Sequence, residues 1–155
     1  MNQVSSAAPG SAAVIEPAAW RDLNALRHLE KICFPRDVWP LFDLVGVLTF
    51  PGVVRLKAIH AGKMAGFIAA DVRRYEDLAW ISTLGVLPEF RRQGLGSRLL
   101  LTCEQQLPVS RVRLSVRTTN DPAIQMYTRS GYRQHGVWKR YYSDGEDALV
   151  LEKTR

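Results

Sequence analysis

The chain has 155 residues, the length of one ordinary domain, and its 43 Leu, Ile, Val and Phe residues are too many for a disordered protein. Its uncharged apolar runs are far shorter than the roughly 20 residues that cross a bilayer. We therefore expect one domain over residues 14–155, preceded by a flexible tail at residues 1–13 that is rich in Ser, Ala, Gly and Pro. The tail lacks the basic segment and apolar core of a signal peptide, which favours a cytoplasmic protein without membrane association.

The net charge is +6, and 16 of the 21 basic residues are arginines. Arginine binds phosphate and carboxylate groups through paired hydrogen bonds, so this composition is compatible with a phosphorylated cofactor or with nucleic acid. Cys33 and Cys103 lie among apolar residues, without a second cysteine or a histidine cluster nearby. They are expected to be reduced core thiols, so neither a disulfide nor a metal site is predicted.

The first half of the chain predicts one strand, two helices and a three-stranded meander. Leu23, Leu26 and Leu29 recur at helical spacing, whereas the later runs are rich in β-branched residues and are joined by turns such as Ala61-Gly62-Lys63. In chain order, the elements are a strand at 14–16, a helix from Pro17 to about Phe34, a helix at about 40–50, and strands at 53–60, 64–72 and 79–86.

The second half predicts two helices and three strands. Leu95, Leu99, Cys103 and Leu107 recur every four residues, which indicates a helix with one buried face. The remaining elements are a strand at 111–116, a short helix capped by Asp121 and ended by Gly131, and a hairpin of strands at 132–142 and 148–152. This order predicts an α/β fold without internal repeats.

A glycine-containing loop, Arg91-Arg92-Gln93-Gly94-Leu95-Gly96-Ser97, joins a predicted strand to a predicted helix. Glycines allow close approach of the backbone, and a helix N-terminus presents free N–H groups, so the loop is a candidate phosphate-binding site. The nucleotide P-loop pattern is absent, and the dinucleotide fingerprint fails because Leu99 stands where a small residue is needed.

Two motifs connect this loop to a known family. Arg91-x-x-Gly94-x-Gly96 follows Leu84-Gly85-Val86-Leu87-Pro88, and a second motif comprises Asn120, Ala123, Tyr127 and Gly131-Tyr132. In both motifs the sequence resembles the GCN5-related N-acetyltransferase (GNAT) family. The resemblance extends over nearly the whole chain from Val14. It implies the α/β GNAT fold, with a mixed, mostly antiparallel sheet that is splayed between strands 4 and 5 and flanked by about four helices.

The resemblance also implies a cosubstrate, acetyl-CoA, and a role for each matched residue. The pyrophosphate would lie on the amides of Arg92, Gln93, Gly94, Leu95, Gly96 and Ser97, with Arg91 and Arg92 as counter-charges. The N–H of Val86, or of its neighbour Leu87, would hold the thioester carbonyl. Asn120 would contact the pantetheine arm, and Tyr127 would protonate the departing sulfur.

Further segments are similar to a bacterial enzyme that acetylates the N-terminal alanine of a ribosomal protein, and to eukaryotic and archaeal N-terminal acetyltransferase subunits. They are Phe34-Pro35, Lys63 to Phe67, Val116-Arg117, Tyr141-Tyr142 and Gly145 to Ala148. This similarity implies direct attack on acetyl-CoA by the N-terminal α-amine of a protein or peptide. The candidate acceptor-binding residues are Phe34, Trp80, Tyr141 and Tyr142. Strand alternation would place the two tyrosine rings on opposite faces, with one facing the peptide.

The general base is where this sequence departs from those relatives. They carry Glu or His at the position of Ser115, and some carry Tyr at the position of Trp80. Neither serine nor tryptophan is a resting base, although Ser115 can hold a water that relays a proton. The other carboxylates considered are Glu76, Asp77, Glu89 and the Glu146-Asp147 pair, which sequence does not rank.

Two alternatives remain open. The same fold and cosubstrate could serve a small amine, such as a polyamine, an amino acid or an aminoglycoside. The remote alternative is a nucleic-acid-binding module, which is disfavoured because the arginines are dispersed and no aromatic–basic motif accompanies them. For the enzyme we expect no metal, no nucleic-acid partner and a monomer or weak dimer.

Overall fold

The computed structural model describes residues 13–155, in which seven strands form one sheet flanked by four α-helices. The strands are β1 (Val14–Pro17), β2 (Val53–His60), β3 (Lys63–Arg73), β4 (Leu78–Val86), β5 (Arg111–Arg117), β6 (Arg133–Trp138) and β7 (Ala148–Thr154). The helices are α1 (Leu23–Cys33), α2 (Leu41–Thr49), α3 (Leu95–Gln106) and α4 (Asp121–Arg129). The predicted α/β fold and its element order are confirmed.

The strand order is β1-β2-β3-β4-β5-β7-β6, and every neighbouring pair is antiparallel except β4 and β5. These two parallel strands pair only through Leu78↔Arg111, Ala79↔Val112 and Trp80↔Arg113. Beyond Trp80 they diverge, because β4 continues to Val86 beside β3 while β5 continues to Arg117 beside β7. The predicted splay between the fourth and fifth strands is therefore present.

Two glycines show that α1 and α3 cover opposite faces of the sheet. A Cβ at Gly85 would lie 2.9 Å from Leu29 in α1, and a Cβ at Gly66 would lie 2.8 Å from Leu99 in α3. Gly66 pairs with Val86, the neighbour of Gly85, so the two glycines face opposite sides of the sheet. At both points the backbone of the sheet approaches a helix more closely than a side chain would permit.

Two predicted boundaries in the second half of the chain are wrong, and in the first half α1 begins at Leu23, not at Pro17, which ends β1. Strand β6 ends at Trp138, not at Tyr142, because the chain leaves the sheet and Arg140 adopts a left-handed φ of 51°. Helix α4 is capped by Asn120, not by Asp121: the Asn120 side chain accepts a hydrogen bond of 3.4 Å from the Ala123 N–H. The correction to β6 moves the tyrosine pair from a strand into a loop.

The predicted flexible tail lies outside the described residues, apart from Ala13. Ala13 is buried, and its carbonyl accepts a hydrogen bond of 2.9 Å from Arg98 in α3. Within residues 13–155, no helix is long and apolar enough to cross a membrane.

Candidate active site

The splay of β4 and β5 opens into a cleft of about 980 Å³. It brings together most of the residues predicted to bind the cosubstrate, which are Val86, Arg91, Arg92, Gly94, Leu95, Gly96, Ser97, Asn120 and Tyr127, and also Phe34. Leu87 and Gln93 do not line the cleft: Leu87 is buried, and the Gln93 side-chain amide donates to the Glu89 carbonyl at 3.3 Å.

The loop before α3 has the local geometry of an anion cradle. Arg92 and Gly94 both adopt left-handed conformations, with φ of 61° and 79°, and Gly94 caps the helix. The amides of Leu95, Gly96 and Ser97 follow in the first helical turn, where N–H groups have no partner within the helix. These donors and the positive end of the helix dipole face the same cleft, which suits a phosphate group.

The backbone conformation at Gly96 is one that any residue can adopt, so the reason for a glycine there is close packing. A Cβ there would lie 3.0 Å from the Met126 sulfur in α4 and 3.8 Å from the Val86 side chain. The N-terminal turn of α3 therefore lies directly against α4, and the cleft runs between the two helices.

Val86 is better placed than Leu87 to hold a carbonyl. The Leu87 N–H already donates to the Ala65 carbonyl at 2.9 Å across the β3–β4 ladder. Because successive N–H groups alternate between the two edges of a strand, the Val86 N–H points to the opposite edge, where β5 has diverged. The Val86 carbonyl is held by the Arg91 Nε at 2.8 Å and by the Cys33 thiol at 3.4 Å.

Tyr127 lines the cleft with only 7% of its surface exposed. Its ring contacts Tyr132 edge to face, with 5.7 Å between centroids. Burial raises the pKa of the Tyr127 phenol above its ordinary value, so the hydroxyl is fully protonated at neutral pH. The hydroxyl therefore has the proton that the predicted role of Tyr127 requires.

Among the residues predicted for the acceptor side, Phe34 lines the cleft, and Trp80 belongs to the last residue pair that joins β4 to β5. Ser115, half-buried on β5, lies beside the Tyr142 phenol at the mouth of the splay. Four aromatic rings follow one another from the sheet into the β6–β7 loop, with centroid distances of 5.5 Å for Trp80–Trp138, 5.1 Å for Trp138–Tyr141 and 5.0 Å for Tyr141–Tyr142. The prediction that strand alternation separates the two tyrosines is wrong, because they lie in a loop and their rings touch edge to face.

The carboxylates named as possible bases are held by other partners. Glu89 pairs with Lys63 at 2.8 Å, Asp77 bonds Ser110, and Asp147 accepts from the Arg140 N–H at 2.9 Å. These bonds lower the pKa of all three carboxyls, which makes them weaker bases than ordinary carboxylates. Glu76 forms an ion pair with Arg73 on the surface.

No sequence motif marks Glu30, yet it is the most enclosed carboxyl beside the cleft. It is 1% exposed, Thr83 donates to its Oε1 at 2.7 Å, and its Oε2 has no hydrogen-bond partner among residues 13–155. Burial raises the pKa of Glu30, and only the hydrogen bond from Thr83 opposes this shift within the described part of the chain. In the sequence, Glu30 could have been noticed only as a polar residue on the inner face of α1. A search for hydrophobic periodicity considers the apolar positions of a helix and therefore does not select it.

The buried Glu30 carboxylate lowers the stability of the folded chain by a measurable amount. Because the pKa of Glu30 is higher in the folded than in the unfolded chain, its contribution to stability falls as pH rises through the folded pKa. Glu30→Gln keeps the hydrogen bond from Thr83 and removes the buried charge. We expect it to add ~1 kcal/mol to the free energy of unfolding at pH 8, which raises the melting temperature by about 2–4 °C. Below about pH 4, where the carboxyl is protonated in both states, this gain should disappear.

Glu104→Gln is the matched control. Glu104 is equally buried but pairs with Lys153 at 2.7 Å, so neutralising it should lower the melting temperature at pH 8. A loss of stability in Glu30→Gln at pH 8 would show that the Glu30 carboxylate has a counter-charge after all.

Comparison with known proteins agrees with this geometry. The acetyltransferase (GNAT) family profile matches residues 23–132. The chain is 30% identical over 146 residues to the N-terminal acetyltransferase A complex catalytic subunit NAA10 of Arabidopsis thaliana, covering 90% of this chain and 76% of that protein.

Two solved structures share the fold. The ribosomal-protein-S18-alanine N-acetyltransferase from Escherichia coli has a TM-score of 0.81 at 28% identity, covering 92% of this chain and 93% of that chain. Arabidopsis thaliana NAA60 in complex with acetyl-CoA also has a TM-score of 0.81, at 22% identity, covering 92% and 98%. With the family profile matched over most of its length, the chain belongs to the GNAT family of acetyltransferases.

Proposed function

We propose that this protein transfers the acetyl group of acetyl-CoA to the N-terminal α-amine of a protein or peptide. The observation that carries the proposal is the position of Tyr142, whose phenol lies beside Ser115 and whose ring lies against Arg117 at the end of β5. The names of NAA10 and of the S18-alanine enzyme, both N-terminal acetyltransferases, support the same acceptor.

The residues of the cleft fit acetyl-CoA. The free amides of Leu95, Gly96 and Ser97 suit the pyrophosphate, and glycine at position 96 keeps a side chain away from them, because a Cβ there would lie 3.0 Å from the Met126 sulfur. Arg91 and Arg92 line the same end of the cleft and supply positive charge. Asn120 uses its carbonyl oxygen as the cap of α4, so its amide group is the donor toward the pantetheine arm.

Acetyl-CoA supplies the acetyl group as a thioester. The Val86 N–H donates to the thioester oxygen and stabilises the negative charge that develops there. The neutral amine nitrogen forms its bond to the acetyl carbon as the carbon–sulfur bond breaks. Tyr127 gives its proton to the departing sulfur and recovers one from the amine nitrogen through water, while the proton of the original ammonium leaves through a water held by Ser115.

An N-terminal acceptor suits a site without a strong base at position 115. An α-amine with a pKa near 7.8 is roughly 14% neutral at pH 7, whereas a lysine with a pKa of about 10.4 is roughly 0.04% neutral. A water relay at Ser115 is therefore sufficient to deprotonate an N-terminal α-amine but not a lysine side chain.

We expect kcat/KM for a peptide with a free N-terminus to rise with pH until about pH 8 and then to level off, following the neutral amine. A thiol-release assay measures this profile. The matched control is the same peptide with a blocked N-terminus and a free internal lysine. Equal acetylation of both peptides at pH 7 would refute the N-terminal assignment, and faster reaction of a polyamine than of either would favour the small-amine alternative.

Two substitutions of Ser115 distinguish the effect of losing the water relay from the effect of adding a general base. Ser115→Glu restores a carboxylate beside the acceptor and should move the rising limb of the profile toward lower pH. Ser115→Ala removes the hydroxyl that holds the relay water without adding a base, so it should lower the rate and leave the rising limb where it is. An identical shift in both variants would show that the limb reports a different group.

A further inference from the structure

Arg117, at the end of β5, joins two loops that are distant in sequence. Its Nε and Nη2 donate to the two oxygens of Asp37 at 2.9 and 2.7 Å, in the loop between α1 and α2. Its Nη1 donates to Asp144 at 2.9 Å and to Glu146 at 2.9 Å, in the loop between β6 and β7. The Arg117 side chain is 8% exposed, whereas those of Asp37 and Asp144 are 29% and 43% exposed, so the arginine is the enclosed centre of a cluster that reaches the surface.

The same guanidinium supports the acceptor side of the site. Its central carbon lies 4.1 Å from the centroid of the Tyr142 ring, a cation–π contact. The Tyr142 phenol in turn meets Ser115, two residues before Arg117 on the same strand. Arg117 therefore holds the ring of Tyr142, and the Tyr142 hydroxyl lies beside Ser115.

Three carboxylates converge on Arg117. Hydrogen bonds from Thr119 and Arg117 lower the pKa of Glu146 to about 2, so it remains ionised at neutral pH. Arg36 adds a weaker contact at the rim, 3.4 Å from Asp144. Without the guanidinium, the ionised carboxylates of the two loops would repel one another. A lysine carries the same charge but cannot make the planar, five-donor contact.

We propose that Arg117 is a positioning residue for the acceptor, because it ties the α1–α2 loop to the β6–β7 loop and fixes Tyr142 at the mouth of the splay. This inference rests on the proposed function, since it assigns the two loops to acceptor binding. Arg117 does not line the cosubstrate cleft, so its replacement should leave the affinity for acetyl-CoA nearly unchanged.

The test is Arg117→Lys in the full chain. We expect KM for an acceptor peptide to rise at least ~10-fold, with kcat and the affinity for acetyl-CoA changed less than about twofold. Hydrogen exchange should accelerate at least ~10-fold at the amides of residues 36–39 and 139–147. Arg111→Lys is the matched control: Arg111 lies at the other end of β5, where it bonds the Glu76 carbonyl, and both readouts should stay unchanged.

Asp37→Asn gives a second variant in case Arg117→Lys fails to fold. It leaves Arg117 bound to the β6–β7 loop, so faster exchange should be confined to residues 36–39. Unchanged exchange in both variants overturns the proposal, and so does faster exchange with an unchanged peptide KM. If the wild-type protein acetylates no peptide N-terminus, the proposed function fails, while the exchange data still decide whether Arg117 joins the loops.

Discussion

Replacing Gly96 with glutamate is expected to abolish acetyl-CoA binding while leaving the fold intact. A side chain at this position must pass the Met126 sulfur, 3.0 Å from the position of a Cβ, and would place a carboxylate where the first-turn amides of α3 point. The carboxylate would satisfy those amides and repel the pyrophosphate, and at 4 Å the repulsion between unit charges is about 4 kcal/mol near a protein surface. Titration calorimetry with acetyl-CoA measures the loss.

Two variants control for bulk and for charge. Gly96→Ala adds only the Cβ, to which the flexible Met126 side chain can adjust, so we expect a modest loss of affinity. Gly136→Glu introduces the same charge in β6, where a Cβ meets nothing within 4 Å, and should bind acetyl-CoA normally. Normal binding by a folded Gly96→Glu protein would show that the pyrophosphate lies elsewhere.

The second large effect is expected for Tyr127→Phe, which should lower kcat by about 10², the usual contribution of a positioned proton donor. The ring is retained, with its contact to Tyr132, so stability and acetyl-CoA affinity should change little. Because burial raises the pKa of Tyr127, the wild-type enzyme should keep its donor protonated well into the alkaline range. Single-turnover kinetics would isolate this step from product release.

Tyr132→Phe is the matched control because the two rings are neighbours with different surroundings. The Tyr132 hydroxyl donates to Glu104 at 3.4 Å, and the residue does not line the cleft. Its loss should cost about 1 kcal/mol of stability and leave kcat unchanged. Full turnover by Tyr127→Phe would reduce Tyr127 to a packing role.

Most of the fold was predictable because its signals are local. The four-residue spacing from Leu95 to Leu107 and the turns at glycines define elements without knowledge of their neighbours. The candidate cosubstrate cleft was predictable for the same reason, since Arg91 to Ser97 form one short segment. The sequence did not decide whether the N–H of Val86 or that of Leu87 is free to hold the carbonyl. That depends on the hydrogen bond from Leu87 to Ala65, which only the register of the sheet reveals.

The acceptor side was predicted less well because its contacts join residues far apart in the chain. Arg117 hydrogen-bonds Asp37 across 80 positions, and beside the cleft Thr83 likewise hydrogen-bonds Glu30 across 53 positions. No local sequence pattern predicts contacts between residues so far apart. The alternation rule failed at the tyrosine pair because an exit from the sheet after Trp138 depends on backbone geometry at Arg140, a residue without a special conformational preference.

The three residue pairs that join β4 to β5 leave the sheet as two ladders, β1 to β4 and β5 to β6, whose backbones are linked at one end only. A ligand in the cleft would contact Val86 at the end of the first ladder and Asn120, three residues beyond the end of β5, and would bind only the folded chain. At a concentration 100 times its dissociation constant, such a ligand adds about 2.7 kcal/mol to the free energy of unfolding. Under the proposed function, the thermal and proteolytic resistance of this protein therefore tracks the acetyl-CoA concentration around it, which couples its lifetime to the supply of its own substrate.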